Sequence, residues 1–93
     1  MRIKQMKHIK ATIIGRVQGV YFRASTKEAA QHLGICGFVK NQEDGSVRLE
    51  AQGEDQAIEK FCEWLKQGPP AARVEELIIE AGSANNFNDF VIR

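Results

Sequence analysis

No apolar run in this chain approaches the roughly 20 residues needed for a bilayer-spanning helix, and neither sign of charge dominates, with 13 Lys and Arg against 12 Asp and Glu. The first absence excludes a helical membrane span. The second removes the electrostatic footprint expected of a nucleic-acid or membrane-surface binder. The basic start, MRIKQMKHIK, has the charge of an export-signal n-region, but only ATIIG follows before Arg16, too short for the apolar part of such a signal. Cytoplasmic residence is therefore the expectation. Cysteine is scarce: Cys36 and Cys62 form no CxxC and have no histidine at metal spacing, so reduced, buried thiols without a role are expected. The two histidines, His8 and His32, lack a carboxylate or thiol partner at ligand spacing, so neither metal nor cofactor is expected.

What remains is an ordinary soluble composition, 43% hydrophobic and 27% charged over 93 residues, which fits one small domain over 1–93. From His8 to Arg16 the letters alternate, with Ile9, Ala11, Ile13 and Gly15 on one side and Lys10, Thr12, Ile14 and Arg16 on the other, which predicts a strand. Phe22, Thr26, Ala29, Ala30 and Leu33 then fall on one stripe of a helix over 22–33, with Gly34 as its C-terminal cap. Ser25 and Glu28 match a capping box and offer a rival start three residues later. CGFVKN and SVRLEAQG read as antiparallel strands, and the Asp44-Gly45 pair between them predicts a two-residue hairpin. Glu54 and Asp55 open a second helix with Ile58, Phe61, Cys62 and Leu65 on its apolar stripe, Trp64 off it over an edge, and Gly68-Pro69-Pro70 at its close. RVEELIIEA and FNDFVIR supply two more strands around the loop-like GSANN. The order β-α-β-β-α-β, plus a short C-terminal strand, predicts an α+β, ferredoxin-like split βαβ sandwich: an antiparallel sheet with both helices on one face.

One stretch breaks this regular pattern. In GRVQGVYFR, residues 15–23, two glycines interrupt a strand just before a helix begins. A strand-to-helix turn presents unpaired N–H groups at the positive end of the helix dipole, and a glycine lets backbone approach a ligand closely. Arg23, in the first helical turn, can aim a guanidinium fork at the same place, a geometry suited to phosphate oxygens. A plainer reading stands beside this one: the glycines make a tight turn and Arg23 pairs with Glu28 on the surface. Spacing alone leaves both open. A Walker loop is excluded, because no lysine follows Gly19 at the required place.

GRVQGVYFR resembles the first signature of the acylphosphatase family, and GFVKNQEDGSVRLEAQG, from Gly37 to Gly53, resembles the second. Length, element order and both motifs agree, so the resemblance covers nearly the whole chain. It implies that Arg23 binds phosphate together with the backbone amides of Gln18, Gly19, Val20, Tyr21 and Phe22, and that Asn41 positions the attacking water. It implies a small cytosolic monomer that hydrolyses the carboxyl-phosphate bond of acyl phosphates without a metal or cofactor, with inorganic phosphate or sulfate as alternative occupants of the site. Thr26 and Ser46 are expected to brace Asn41 or the water.

The chemistry agrees with this residue set. Neither motif offers a nucleophile for a phospho-enzyme; Glu43 and Asp44 belong to the hairpin turn and are expected to be solvated. Water must then attack, and an amide such as Asn41 can orient it but is too weak a base to deprotonate it. A carboxylate leaving group departs without a proton donor, whereas an alkoxide needs one, so the missing acid favours an acyl phosphate. RNA-recognition modules share this element order, but they stack bases on aromatics of the central strands. Strands one and three carry no aromatic residue, and no nucleic-acid or membrane partner is expected.

Overall fold

In a computed structural model of the chain, residues 5–93 are described; Arg2 and Lys4 of the basic N-terminal segment lie outside the described residues. The first alternating run forms β1 (Met6–Arg16), with Ile9, Ala11 and Ile13 buried in the core. It is followed by α1 (Phe22–His32), β2 (Cys36–Asn41), β3 (Val47–Glu54), α2 (Asp55–Gln67), β4 (Arg73–Ala81) and β5 (Phe90–Ile92). The strands form one sheet in the order β4-β1-β3-β2-β5. β1 pairs antiparallel with β3 and β4, and β2 antiparallel with β3, as expected. β5 joins the outside of β2 in parallel, so the sheet is mixed. Among the described residues no helix is long and apolar enough to cross a membrane.

Both helices lay their apolar stripes on the same face of the sheet. Phe22, Thr26 and Ala30 of α1 and Ile58, Phe61 and Leu65 of α2 are buried, and all but Thr26 belong to one hydrophobic cluster with Val39, Leu49 and Ala51 of the central strands. Full burial of side chains the size of Phe61 or Leu65 stabilises the fold by roughly 1.5–3 kcal/mol each. Trp64 does not cover a sheet edge. Its ring lies 5.8 Å from that of Phe22 and stacks on Phe61 at 6.5 Å, closing the seam between the helices. Phe38 alternates with inward-facing residues and so faces the opposite side, where Phe87 lies 6.0 Å away and the Arg93 guanidinium sits 4.1 Å over its ring.

Three local details settle or depart from the sequence expectations: the predicted start of α1 at Phe22 holds against its rival at Ser25, and two others differ. Helix α1 starts at Phe22, because the Ser25 amide already donates to Tyr21 O at 3.0 Å; Ser25 is inside the helix and does not cap it. The helix closes one residue earlier than its stripe implied, with Leu33 as C-cap and a Schellman pair: Gly34 N donates to Gln31 O and Ile35 N to Ala30 O. The β2–β3 hairpin has a three-residue loop in place of two, since Gln42 N donates to Ser46 O at 2.8 Å and Gly45 N to Gln42 O at 3.2 Å. This places Glu43 and Asp44 at the centre of a turn and Gly45 at the following bulge position.

Candidate active site

The strand-to-helix loop is held from below and free above. Val17 and Val20 are both buried in the core, which anchors the segment between β1 and α1. Gly19 has φ +74° and Tyr21 has φ 62°, while Val20 between them and the helical Phe22 after them have negative φ. Alternation of left- and right-handed residues turns successive N–H groups toward a common centre, which is how backbone forms an anion-binding concavity. Tyr21 adopts the left-handed conformation at a cost of roughly 1–2 kcal/mol for a residue with a side chain, and that side chain is 84% exposed.

Among the described residues, the N–H groups of Gln18, Gly19, Val20 and Tyr21 donate to no protein acceptor. The first helical bond is the one from Ser25, so the amides of Phe22, Arg23 and Ala24 are the orphan donors of a helix end. Neither a capping side chain nor an acidic residue occupies the first turn to compensate them. The positive end of the helix dipole therefore adds to a run of free donors.

Arg23, half-buried, lines a cavity of about 410 Å³ together with Gly19, Tyr21, Phe22 and Asn41. Among the described residues no carboxylate lies within ion-pair distance of Arg23, so the surface pair with Glu28 is not formed. Asn41 ends β2 at its last rung opposite Val47, and among the described residues its carboxamide makes no hydrogen bond. One arginine and one amide, both without protein partners, thus share a cavity with Gly19, Tyr21 and Phe22 of the loop; Gln18 and Val20 do not line it. A larger groove of about 560 Å³ lies between the helices, by Leu33, Trp64 and Pro69; it contains neither a row of free amides nor an arginine.

Other residues are placed differently from expectation. The Thr26 hydroxyl is buried and donates to Phe22 O at 2.7 Å within its own helix, so it does not brace Asn41. Ser46 is buried too; its hydroxyl donates to Asp44 Oδ1 at 2.6 Å and accepts from Gln42 Nε2 at 2.8 Å. Asp44 accepts a second bond from Ser46 N at 2.9 Å. These two bonds from Ser46 lower the Asp44 pKa, so this exposed carboxylate is a structural acceptor of the turn. The side chains of Gln18 and Val20 leave the cavity, the first toward the hairpin and the second into the core.

Two cavity walls lie outside both motifs, Ala24 and Ile92, and a third, Val17, lies in the first motif but had no site role assigned to it. Ile92 arrives because β5 pairs in parallel with β2 and sets Ile92 opposite Val39, two positions before Asn41. Among the described residues no group of three or more His, Cys, Asp or Glu side chains gathers at one place. Cys36 and Cys62 are free and half-buried, and burial raises the Cys62 pKa.

The chain as a whole has counterparts among known proteins. The acylphosphatase family model matches residues 9–92. The chain is 46% identical over 84 residues to an acylphosphatase of Acaryochloris marina, covering 90% of both chains. It is 47% identical over 87 residues to one of Yersinia pseudotuberculosis, covering 92% of this chain and 95% of the relative. The solved structure of an acylphosphatase from Coxiella burnetii superimposes with a TM-score of 0.91 at 40% identity, covering 95% of this chain and 93% of that one. A family match over most of the chain, high identity and the same fold converge on one conclusion: this chain belongs to the acylphosphatase family.

Proposed function

We propose that the protein is an acid-anhydride hydrolase, an acylphosphatase, that cleaves the carboxyl-phosphate bond of small acyl phosphates to a carboxylate and inorganic phosphate. The observation that carries the reading is that one cavity is lined by loop residues with unpaired amides, Gly19 and Tyr21, by an arginine free of protein carboxylates and by an unpaired asparagine. In the proposed mechanism the N–H groups of Gln18, Gly19, Val20, Tyr21 and Phe22 and the Arg23 fork grip the phosphoryl oxygens. Asn41 orients water for attack in line with the departing carboxylate. The proton passes from water to the phosphoryl group, consistent with a loose transition state in which positioning and electrostatics dominate. The leaving carboxylate departs unprotonated, and the reaction needs neither a metal nor a cofactor. The protein acts as a cytoplasmic monomer, with inorganic phosphate or sulfate competing for the loop.

Loss of one preorganised donor to a developing oxyanion costs on the order of 3–4 kcal/mol, or about 100- to 1000-fold in rate. The test is hydrolysis of benzoyl phosphate and acetyl phosphate beside an alkyl phosphate, with chelator present. Only the acyl phosphates are cleaved, Arg23→Ala loses turnover and phosphate binding together, and Asn41→Ala loses turnover while phosphate still binds. Activity that disappears with chelator defeats the metal-free mechanism. An Asn41→Ala variant that loses only phosphate affinity removes the water-orienting role.

A further inference from the structure

We infer that the side chain of Gln18 is a positioning residue that fixes the distance between the anion loop and the asparagine that orients water. This rests on the reading of Asn41 given above and concerns the Gln18 carboxamide, not its backbone N–H. Gln18 Nε2 donates to Gln42 O at 2.7 Å and to Ser46 O at 2.9 Å, which uses both of its hydrogens. Those two acceptors belong to one rung of the hairpin, because Gln42 N itself donates to Ser46 O at 2.8 Å. That rung is the one immediately beyond the Asn41–Val47 pair. Among the described residues, these are the only hydrogen bonds between residues 17–21 and the β2–β3 hairpin.

The far side of this strap is stiff. The Gln42 carboxamide, the Ser46 hydroxyl and amide, and the Asp44 carboxylate close a network across the turn at 2.6–2.9 Å. A loop joined to such a platform by two bonds to carbonyls transmits its position to Asn41, one residue away from Gln42. Without the strap, Val17 and Val20 still anchor the loop in the core, so the amide concavity survives while its offset from Asn41 becomes variable. Chemistry that depends on water held at a near-attack position loses about 100-fold for a displacement of roughly 1 Å. Binding of the phosphoryl group by the loop does not depend on that offset.

The experiment is a double-mutant cycle between Gln18→Met, which keeps length and removes both donors, and Asn41→Ala. The readouts are kcat and KM for benzoyl phosphate, the inhibition constant of inorganic phosphate, and thermal unfolding. Gln18→Met lowers kcat by about 10- to 100-fold and leaves phosphate inhibition within about threefold. In the Asn41→Ala background the same substitution changes residual kcat by less than about twofold, since a positioning residue has nothing left to position. Gln18→Leu, which also removes both donors without adding charge beside the anion loop, is the second variant should Gln18→Met unfold, and it gives the same split. A folded Gln18 variant with wild-type kcat overturns the inference, as do kcat losses that multiply in the double mutant or phosphate affinity that falls in step with kcat. If Asn41→Ala alone retains turnover, the mechanism fails; if it loses turnover and Gln18→Met does not, only the role of Gln18 fails.

Discussion

The two glycines of GRVQGVYFR look interchangeable as letters, but alanine at each has a different physical consequence. Gly15 lies where the β1–β4 register shifts, at φ +138°, and an added Cβ would stand 2.1 Å from Arg73 O and 2.8 Å from Glu75 N. An ordinary carbon–oxygen contact is about 3.3 Å or more, so β4 must withdraw by about 1 Å or the bulge must open. Either change sacrifices the rungs at Gly15–Val74 and Arg16–Arg73, at about 1 kcal/mol per hydrogen bond, on top of roughly 1–3 kcal/mol for the backbone conformation. Gly15→Ala should therefore destabilise the fold by about 3–5 kcal/mol, which lowers Tm by roughly 12 °C or more in a domain of this size. At Gly19, φ is +74° and no heavy atom beyond its chain neighbours lies within 4 Å of the added Cβ. Only the left-handed penalty remains, about 1–2 kcal/mol less the roughly 0.4–1 kcal/mol that alanine removes from unfolded-state entropy. Gly19→Ala should lose only about 1 kcal/mol of stability while its altered φ turns loop amides out of convergence and lowers turnover more than about tenfold. Calorimetry with kcat per folded molecule separates the two effects. Equal Tm values for the variants refute the steric argument at Gly15, and full activity in Gly19→Ala refutes the convergent-amide argument at the loop.

Further outcomes follow from the other contacts. Ser46 lowers the Asp44 pKa in the folded protein, so this carboxylate stabilises the fold above its unfolded value, and that contribution disappears as pH falls through the folded value. Urea unfolding of wild type and Asp44→Asn should differ at neutral pH and converge below about pH 4; a gap that widens in acid contradicts the assignment. Burial raises the Cys62 pKa, so iodoacetamide near neutral pH should modify Cys62 more slowly in the folded protein than in urea; equal rates contradict its burial. Thr26→Val removes one hydrogen bond within α1 and should cost about 1 kcal/mol in stability with kcat within about twofold of wild type. A tenfold fall in kcat would return that hydroxyl to the site.

The arrangement also explains why a surface loop can retain a concentration of unpaired donors. Orphan amides are tolerated where water or an anion reaches them, and Gly19 and Tyr21 are both exposed while Val17 and Val20 supply the burial that keeps the loop in place. Arg23 follows Phe22, whose buried ring packs against Trp64, so the residue that would hold phosphate is set on a rigid helix start. Stability and site geometry are thus carried by alternate residues of the same short segment.

By itself the sequence determined which faces are buried, because period two in 8–16 and the helical stripes from Phe22 and Ile58 record on which side each element meets the core. It also determined the local donors: a glycine before a helix start, with an arginine in the first turn, is a property of adjacent residues. The tertiary structure decided what no local period encodes. Only closure of the sheet brings Asn41 to Arg23, adds β5 in parallel so that Ile92 joins the wall, and lets the Gln18 amide reach the hairpin carbonyls at 2.7 and 2.9 Å. It likewise set Thr26 back onto its own helix and distinguished Gly15 from Gly19. The physical reason is that periodicity reports burial, an average over many neighbours, whereas these contacts are single pairings between distant segments whose partners are chosen by register and packing.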